Sequence, residues 1–379
     1  MKTGLNIVFV SHTFIGSTFV VGSHHLSREL SELGHNICHI STPISPFHML
    51  KIRKDENIKK RFKLSISTEK YYNNVYNFVP ISFYTWGVAK RILEKKQKNP
   101  LNRAKSIKEK INKFFNNEKI DVMFIDQPTM IGIEDILQPN LLIYRPTDIY
   151  SEMLNDRTLL KYELEIIRKS KLVVGTSGPV VDFYKKYLPN KEYYILENGV
   201  EYKHFANYIP TLNNDICSLV YIGSLDNRID INFFIEAARK FPNLNFKIVG
   251  PINKEDLAKL RMYKNIVIYG GVDYSEIPTI LGDSDIALLP LNDHPANAGR
   301  SPMKLYEYLA AGLPVISKKT LELSRRNLDY VFLYDTYESA FENINLLNSN
   351  RIDKKIIKNY SKQFSWDSKA TELLKIVFK

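Results

Sequence analysis

The sequence predicts an α/β protein of two domains, each an open, mostly parallel β-sheet covered by helices. The chain has 379 residues, which is too many for one ordinary domain and suits two of roughly 150–200 residues each. Short apolar runs alternate with segments of helical periodicity along the whole chain, which is typical of strand–helix–strand crossover units. A hydrophobic content of 44% and a charged content of 25% exclude a disordered chain.

The first half opens with the apolar run 5–10, which is typical of a buried parallel strand. A helix follows, because Leu26, Leu30 and Leu33 recur at helical spacing; we expect Ser23 to cap its start and Gly34 to end it. Further strands are predicted, in chain order, at 36–40, 122–125, 141–144, 172–175 and 193–196.

The Asn-Gly pair within 197–200 predicts a turn, because Asn-Gly readily adopts positive φ. We place the domain boundary just after it, where Pro210 and the polar stretch 213–215 are typical of a linker. The predicted domains are 1–205 and 206–361, with a C-terminal helix at about 362–379 crossing back onto the first. The second domain repeats the alternation, with a helix at 230–240 and strands at 218–222, 245–249, 265–269, 285–290 and 314–317.

The segment 300–316 carries the most information about function. Ser301 is a good helix N-cap and Pro302 suits the first helical position, while Gly312 ends the helix. Exposed N–H groups and the positive end of the helix dipole make such a start an anion site, and Lys304 adds a full charge in the first turn.

Glu307 lies three residues after Lys304, on the same helix face. Its carboxylate can accept hydrogen bonds from two vicinal ribose hydroxyls, as acidic residues do in other nucleotide sites. Lysine for a diphosphate and glutamate for a ribose together recognise one nucleoside diphosphate. The alternative is a surface Lys–Glu pair without a ligand.

The run from Ser301 through Met303, Lys304 and Glu307 to Ile316 resembles the donor-site helix of glycosyltransferases of the GT-B fold. It is similar to family 4 and to the branch with the teichuronic-acid-type transferases and the xanthan glucuronosyltransferase (family 70). Other segments resemble that branch at its first helix, its Asn-Gly-Val turn, its phosphate loop and its closing helix, in chain order 22–26, 197–200, 221–224 with Arg228, and 364–367.

The resemblance implies two Rossmann-like domains whose parallel sheets face an interdomain cleft, with the nucleotide sugar bound by the second domain. It implies donor contacts at nine positions: Gly223, Arg228, Val272, Tyr274, Arg300, Ser301, Met303, Lys304 and Glu307. It places acceptor contacts at Gly22 and His24. The donor is expected to be a UDP-sugar, and UDP-glucuronate is one hypothesis, because Arg300 and Lys304 could pair with the uronate carboxylate.

Retaining members of family 4 carry a glutamate eight residues before the counterpart of Glu307, where this chain has Gly299. We therefore expect an inverting enzyme, which needs a general base to take the proton of the acceptor hydroxyl. Asp148 is the candidate, since it follows a strand and the resemblance places the catalytic aspartate in this loop. An N-cap for the helix near Ile149 is the alternative for Asp148, and His25 or His24 is the rival base.

No Asp-x-Asp signature and no His/Cys cluster at metal-ligand spacing is present, so we predict no metal and no other cofactor. Cys38 and Cys217 are expected to be buried thiols in a reducing compartment.

The net charge of +12 is uneven, because 51–119 holds 19 Lys or Arg against 6 Asp or Glu among aromatic residues such as Phe62, Phe83, Tyr84 and Trp86. An anionic membrane surface would attract this segment, while a solvated basic face and nucleic acid are the alternatives. No nucleic-acid-binding motif is recognisable. No signal peptide or spanning segment is evident, so we expect a cytoplasmic protein at the inner membrane face, acting on a lipid-linked or glycan acceptor.

Two other functions remain open on the same fold. A nucleotide-sugar 2-epimerase would share the nucleotide site and act without an acceptor. A non-catalytic protein would bind the sugar nucleotide and neither hydrolyse nor transfer it.

Overall fold

The structure is a computed structural model that describes residues 3–17, 20–50, 52–66, 70–71, 74–85, 88, 104–208, 216–294, 297 and 301–379. The chain divides into two compact units: Met1–Glu197 with Lys369–Lys379 form unit 1, and Asn198–Ser368 form unit 2. The division predicted near residue 205 falls inside the helix Tyr202–Ala206, and the predicted domain limits stay a prediction.

Unit 1 is built on a sheet of eight described strands in the order β3-β4-β2-β1-β5-β6-β7-β8. All neighbours pair in parallel except β3 and β4. The strands are β1 Asn6–Ser11, β2 Asn36–Ser41, β3 Lys70–Tyr71, β4 Val75–Phe78, β5 Val122–Ile125, β6 Leu141–Tyr144, β7 Leu172–Gly175 and β8 Glu192–Ile195. The central strands are wholly buried, because helices cover a parallel sheet on both faces.

The helices of unit 1 are α1 Gly22–Glu32, α2 Pro46–Met49, α3 Glu56–Ile66, α4 Ala104–Phe114, α5 Ile133–Leu137, α6 Tyr150–Met153, α7 Arg157–Lys169 and α8 Gly178–Lys185. The final helix, α17 Trp366–Val377, begins in unit 2 and ends in unit 1. Its residue Lys369 forms an ion pair with Glu197, at 2.9 Å, within unit 1.

Unit 2 has a sheet of six described strands, all parallel, in the order β11-β10-β9-β12-β13-β14. The strands are β9 Ser218–Ile222, β10 Asn245–Val249, β11 Ile266–Gly270, β12 Ile286–Leu289, β13 Val315–Lys318 and β14 Val331–Tyr334. The helices are α9 Tyr202–Ala206, α10 Ile231–Lys240, α11 Lys254–Leu260, α12 Ile277–Gly282, α13 Met303–Ala310, α14 Leu321–Arg326, α15 Tyr337–Ser349 and α16 Lys354–Ser361.

Two sheets of mainly parallel strands covered by helices confirm the predicted α/β class. Every strand predicted from an apolar run is present, with each end displaced by at most one residue. In parallel sheets the loops after the strands share one edge, and the predicted site residues Gly223 and Asp148 lie in such loops.

Two local predictions are wrong. The helix α1 begins at Gly22 with Val21 as its N-cap, so Ser23 is not the cap; its buried hydroxyl instead donates to Ser11 Oγ, at 3.2 Å. Neither Asn198 nor Gly199 adopts positive φ. Gly199 is needed for a close approach, because an added Cβ would lie 2.9 Å from both Phe364 O and the Trp366 ring.

No helix among the described parts of the chain is both long and apolar enough to span a bilayer.

Candidate functional site

Two glycine loops meet at the carboxyl edge of the unit 2 sheet. Gly223 follows β9 and its N–H donates to Val249 O, at 2.8 Å, at the end of β10. Gly223 has φ +153° and Gly250 has φ +138°, a range that favours glycine. A Cβ on Gly250 would lie 2.0 Å from Gly223 O, so the two backbones can approach this closely only without side chains.

Lys304 extends from the first turn of α13 across the Gly223 loop. A Cβ on Gly223 would lie 2.4 Å from Lys304 Cε. Within the described residues, Lys304 Nζ has no hydrogen bond and no ion pair at salt-bridge distance. The ammonium group is thus placed beside a side-chain-free backbone loop and the N-terminus of a helix, an arrangement suited to binding a diphosphate.

The start of α13 differs from the prediction. The helix begins at Met303, and Pro302 is its N-cap with no capping side chain, so Ser301 is not the cap and Pro302 is not the first helical residue. The Ser301 hydroxyl instead accepts hydrogen bonds from Asn198 N at 3.3 Å and from Arg326 Nη2 at 3.2 Å. These bonds fix the chain just before the helix. The predicted stop is confirmed, since Gly312 follows the helix with φ +85°.

Glu307 lies one turn after Lys304, half-buried, in a mixed electrostatic environment. Burial raises the pKa of its carboxyl group. Lys304 and His204 oppose that rise, whereas Glu201 adds to it. Glu307 therefore interacts electrostatically with Lys304 on its own helix and with Glu201 and His204 at the beginning of unit 2.

Those two groups, Glu201 and His204, also hold Tyr274. The Tyr274 hydroxyl donates to Glu201 Oε2 at 3.0 Å, and the His204 ring stacks on the Tyr274 ring at 4.5 Å between centroids and 12° between planes. Sequence reasoning named Tyr274 and missed the other two. Their only sequence signal is that they directly follow the Asn198–Val200 segment. Val272 is half-buried against the core nearby.

The other predicted donor residues are less informative. Arg228 is bound by Asp226: Nε donates to Oδ1 at 2.8 Å and Nη2 to Oδ2, so its guanidinium group is already paired. Met303 is half-buried in the first turn of α13. Arg300 lies outside the described residues, as does Gly299.

In unit 1, the described residues include four histidines near the carboxyl edge of the sheet: His12, His24, His25 and His39. His24 and His25 are each 5% exposed in the first turn of α1, which begins at the buried Gly22. The His24 ring contacts the ring of His39 edge to face, at 4.9 Å between centroids. Burial lowers the pKa of His24 to about 4, so this imidazole is neutral at pH 7. His12 follows β1, and burial lowers its pKa too.

Beside the histidines lies a buried ion pair that sequence reasoning missed. Asp126 follows β5 and Arg145 follows β6; their Oδ1 and Nη1 atoms are 3.3 Å apart, and both side chains are almost wholly buried. Burial raises the pKa of Asp126, while Arg145, Ser23 and His12 oppose the rise. A sequence signal for this pair was available, because Asp126 and Arg145 each directly follow an apolar run. Asp148 comes a few residues after the same run as Arg145.

Asp148 lies in the loop between β6 and α6, half-buried. The N-cap of α6 is Ile149, without a side-chain cap, so the alternative of Asp148 as the helix cap is wrong. Thr147 Oγ1 donates to Asp148 Oδ2 at 3.5 Å and is 2.6 Å from the Tyr150 hydroxyl. The loop thus presents a carboxylate at the same sheet edge as Asp126.

Across the parts of the chain that the structure describes, no three His, Cys, Asp or Glu side chains are grouped so as to hold a metal ion. Both cysteines are buried free thiols.

Residues 210–364 match the model of the family described as "Glycosyl transferases group 1". The chain is also similar to the putative teichuronic acid biosynthesis glycosyltransferase TuaH of Bacillus subtilis (strain 168), with 25% identity over 264 residues. That alignment covers 62% of this chain and 66% of the relative, just under two thirds of its length.

Solved structures of similar fold cover nearly the whole chain. Anabaena Alr3699/HepE in complex with UDP and glucose has a TM-score of 0.62 and 11% identity, over 98% of this chain and 99% of the other. The lipopolysaccharide outer core galactosyltransferase WaaB, in its apo form, has a TM-score of 0.64 and 12% identity, again over 98% and 99%. At these identities the likeness shows the fold, which is GT-B.

Proposed function

We propose that this chain, which has the GT-B fold and matches the glycosyl transferases group 1 model at residues 210–364, is a glycosyltransferase that carries out the following reaction. Unit 2 binds a UDP-sugar, and the sugar passes to a hydroxyl of a lipid-linked or surface-polysaccharide acceptor. The relative in teichuronic acid biosynthesis supports a polysaccharide acceptor, and the UDP complex of a structural neighbour supports the nucleotide.

The observation that carries the proposal is the Lys304 side chain, whose Cε lies beside the Gly223 loop, with Glu307 one turn further along α13. As the bond from the anomeric carbon to the diphosphate oxygen breaks, negative charge grows on the departing UDP. A preorganised ammonium group and free helix amides stabilise that charge. Because this positive charge comes from the protein, we propose that no metal is required, and activity should persist in excess EDTA.

The donor site is tested with UDP and two variants of α13. We expect Lys304→Ala to raise the Kd for UDP by about tenfold to a hundredfold, since a charge-assisted hydrogen bond is worth about 1.5–3 kcal/mol. Glu307→Gln should weaken binding of UDP more than binding of inorganic pyrophosphate, because only UDP carries a ribose. Calorimetry that detects no affinity of the wild type for UDP would refute the donor site.

Asp148 is proposed as the general base, with inversion at the anomeric carbon. Gly299 stands where retaining relatives carry a glutamate, and the carboxylate of Asp148 lies at the sheet edge where such clefts form. Asp148→Asn should lower kcat by about 10² to 10⁴, the usual contribution of a general base, while UDP affinity stays unchanged. A wild-type kcat in this variant would remove Asp148 as the base and leave His24 and His25.

The sugar is proposed to be a uronate, because Lys304 and the neighbouring Arg300 could pair with its carboxylate. UDP-glucuronate should then raise the melting temperature of the protein above the value in equimolar UDP, whereas UDP-glucose should raise it less. Equal stabilisation by UDP and UDP-glucuronate would remove the uronate while leaving the UDP site intact.

Peripheral membrane binding is proposed for α3. Its residues Lys59, Phe62, Lys63 and Ile66 have the i, i+3, i+4, i+7 spacing of one helix face, and all four are exposed. A stripe of basic and apolar side chains suits an anionic bilayer, where each basic residue contributes about 1 kcal/mol. Phe83 and Tyr84 are exposed as well, whereas Trp86 lies outside the described residues.

Charge reversal tests this surface. Changing Lys59, Lys60 and Lys63 to Glu should abolish co-sedimentation with vesicles rich in phosphatidylserine at about 0.1 M salt. The control changes three exposed lysines of unit 2 to Glu, which alters the net charge equally: Lys240, Lys254 and Lys264. If both triple variants lose binding to the same extent, net charge and not α3 is responsible.

The two other functions are outcomes of one assay, in which a UDP-sugar is incubated with and without membranes. An epimerised free sugar nucleotide would indicate the 2-epimerase. Tight UDP binding with neither transfer nor hydrolysis, unaffected by Asp148→Asn, would indicate the non-catalytic protein.

A further inference from the structure

A glutamate is buried in the middle of α7. The side chain of Glu163 is inaccessible to solvent, and its Oε1 atom accepts two hydrogen bonds, from the Tyr144 hydroxyl at 2.7 Å and from the Tyr184 hydroxyl. Its Oε2 atom has no partner within the described residues. A buried carboxyl oxygen without a hydrogen bond lowers the stability of the fold, so the presence of this group calls for an explanation other than stability.

Tyr184 links this carboxyl group to the loop that carries Asp148. The Tyr184 hydroxyl lies 3.5 Å from Asp148 O, whereas within the described residues the Tyr144 hydroxyl bonds to Glu163 and not to that loop. The same loop is held one residue earlier by Thr176, whose hydroxyl donates to Thr147 O at 2.9 Å. The backbone at Asp148 is thus set by residues that follow β7 and lie on α8, not only by its own strand.

We propose that Glu163 and Tyr184 are positioning residues for Asp148: the Tyr184 hydroxyl shares its one proton between Glu163 Oε1 and Asp148 O, so that Glu163 fixes the hydroxyl that contacts the backbone carbonyl of the base. The inference rests on the proposed role of Asp148 and deepens it. A general base must lie within hydrogen-bond reach of the acceptor hydroxyl, and a displacement of about 1 Å lowers the rate by as much as a hundredfold. Glu163 and Tyr184 touch neither donor nor acceptor and act only through Asp148.

The two tyrosines provide a matched pair of variants. Tyr144→Phe and Tyr184→Phe each remove one hydroxyl and one hydrogen bond to the same oxygen of Glu163, but only Tyr184 reaches Asp148. We expect Tyr184→Phe to lower kcat by about tenfold with an unchanged KM for the donor, and Tyr144→Phe to lower it by less than about threefold. Each variant is first checked for a wild-type circular dichroism spectrum.

The rate is measured as UDP release from whichever of UDP-glucuronate, UDP-glucose and UDP-N-acetylglucosamine the wild type hydrolyses fastest. Glu163→Gln, which keeps the size of the side chain, is the second variant and should lower kcat in the same direction. In the Asp148→Asn background, Tyr184→Phe should change the residual rate by less than about twofold, because the base it positions is gone.

Three outcomes overturn the proposal: equal losses in the two tyrosine variants, an unchanged kcat in Glu163→Gln, or a tenfold effect of Tyr184→Phe that persists without Asp148. A failure of the proposed function is distinguishable from these. If Asp148→Asn releases UDP at the wild-type rate, the base itself is misassigned; if Asp148→Asn is inactive while Tyr184→Phe matches the wild type, only the positioning role fails.

Discussion

At the residue scale, Gly223 sets how close Lys304 comes to the backbone. In Gly223→Ala the new Cβ would clash with Lys304 Cε, at 2.4 Å, and the φ of +153° disfavours a side chain. We expect the Kd for UDP to rise by at least about tenfold, measured by calorimetry. Gly270→Ala is the control, because Gly270 also has positive φ, at +71°, but open space around its Cβ position. Equal losses in both variants would show that backbone strain, not displacement of Lys304, weakens binding.

Also at this scale, His24 and Glu163 make stability depend on pH in opposite directions. Burial lowers the pKa of His24 to about 4. The contribution of this shift to the free energy of unfolding is therefore complete above pH 6.5 and is lost as the pH falls towards 4. Burial raises the pKa of Glu163 to about 7, although its two tyrosine bonds oppose the rise. Its contribution is therefore complete below pH 4.5 and is lost as the pH rises towards 7. Each shift corresponds to roughly 3 kcal/mol.

The two effects nearly cancel between pH 4.5 and 6.5, and single variants should expose them. Relative to the wild type, His24→Asn should become less stable as the pH rises through this window, and Glu163→Gln more stable. The measurement is the free energy of unfolding in urea at pH 4.5, 5.5 and 6.5. Two variants whose stability follows the wild type in parallel would show that neither group titrates with a shifted pKa.

At single residues, the helical spacing of a lysine and a glutamate was predicted correctly, whereas the hydrogen-bond partners of two serine hydroxyls were not. Lys304 and Glu307 lie on one helix face as predicted, because a helix fixes the positions of residues three apart. Ser23 and Ser301 were both predicted as N-caps, but both are buried and neither caps a helix. The Ser23 hydroxyl donates to Ser11 Oγ, and the Ser301 hydroxyl accepts from Asn198 N. A serine hydroxyl can form hydrogen bonds with many kinds of partner, and the partner it has in the fold depends on tertiary neighbours that the local sequence does not reveal.

At the element scale, the start of α10 is anchored both by a helix cap and by a tertiary hydrogen bond. Asp230 accepts from Phe233 N, at 3.2 Å, and its other oxygen accepts from the Tyr337 hydroxyl of α15, at 2.7 Å. Asp230→Ala should therefore lose both a cap and a tertiary hydrogen bond, about 2 kcal/mol in the free energy of unfolding. Asp353→Ala removes a cap alone, from α16, and should lose about 1 kcal/mol. Equal losses would mean that Tyr337 contributes nothing.

Most of the strands predicted correctly are short and mainly apolar, as is typical of strands in a covered parallel sheet, although β8 and β11 are partly exposed. The strand β14 was not predicted, although Val331–Tyr334 form such an apolar run. The strand β4 was missed because Asn77 interrupts its pattern. That amide is buried and pairs with the backbone of Ile15, donating to its O at 2.8 Å and accepting from its N at 3.4 Å. A buried polar residue that forms hydrogen bonds with the backbone of a distant loop has, in the sequence, the same pattern as the end of a strand. The two-residue strand β3, antiparallel at the sheet edge, leaves too few residues for any pattern.

At the scale of the whole molecule, the candidate donor site of unit 2 joins segments far apart in sequence. Glu201 and His204 come from its beginning, Gly223 and Tyr274 from loops after two different strands, and Glu307 from a helix more than a hundred residues after Glu201. Helix spacing predicted Lys304 and Glu307, and the family resemblance predicted Gly223. Local patterns cannot supply the stacking of His204 on Tyr274, which depends on how the elements of unit 2 pack.

Each unit has its own apolar core, so we expect two unfolding transitions in a calorimetric scan. Asp230→Ala marks unit 2, since its bonds lie wholly within that unit, and should lower one transition only. If Lys304 and Glu307 bind the nucleotide, UDP at a hundred times its Kd should raise that same transition by an amount corresponding to about 2.7 kcal/mol. The other transition should stay where it is, because unit 1 holds no predicted nucleotide contact. A UDP-dependent rise confined to the transition that Asp230→Ala leaves unchanged would place the nucleotide on unit 1 and refute the donor assignment.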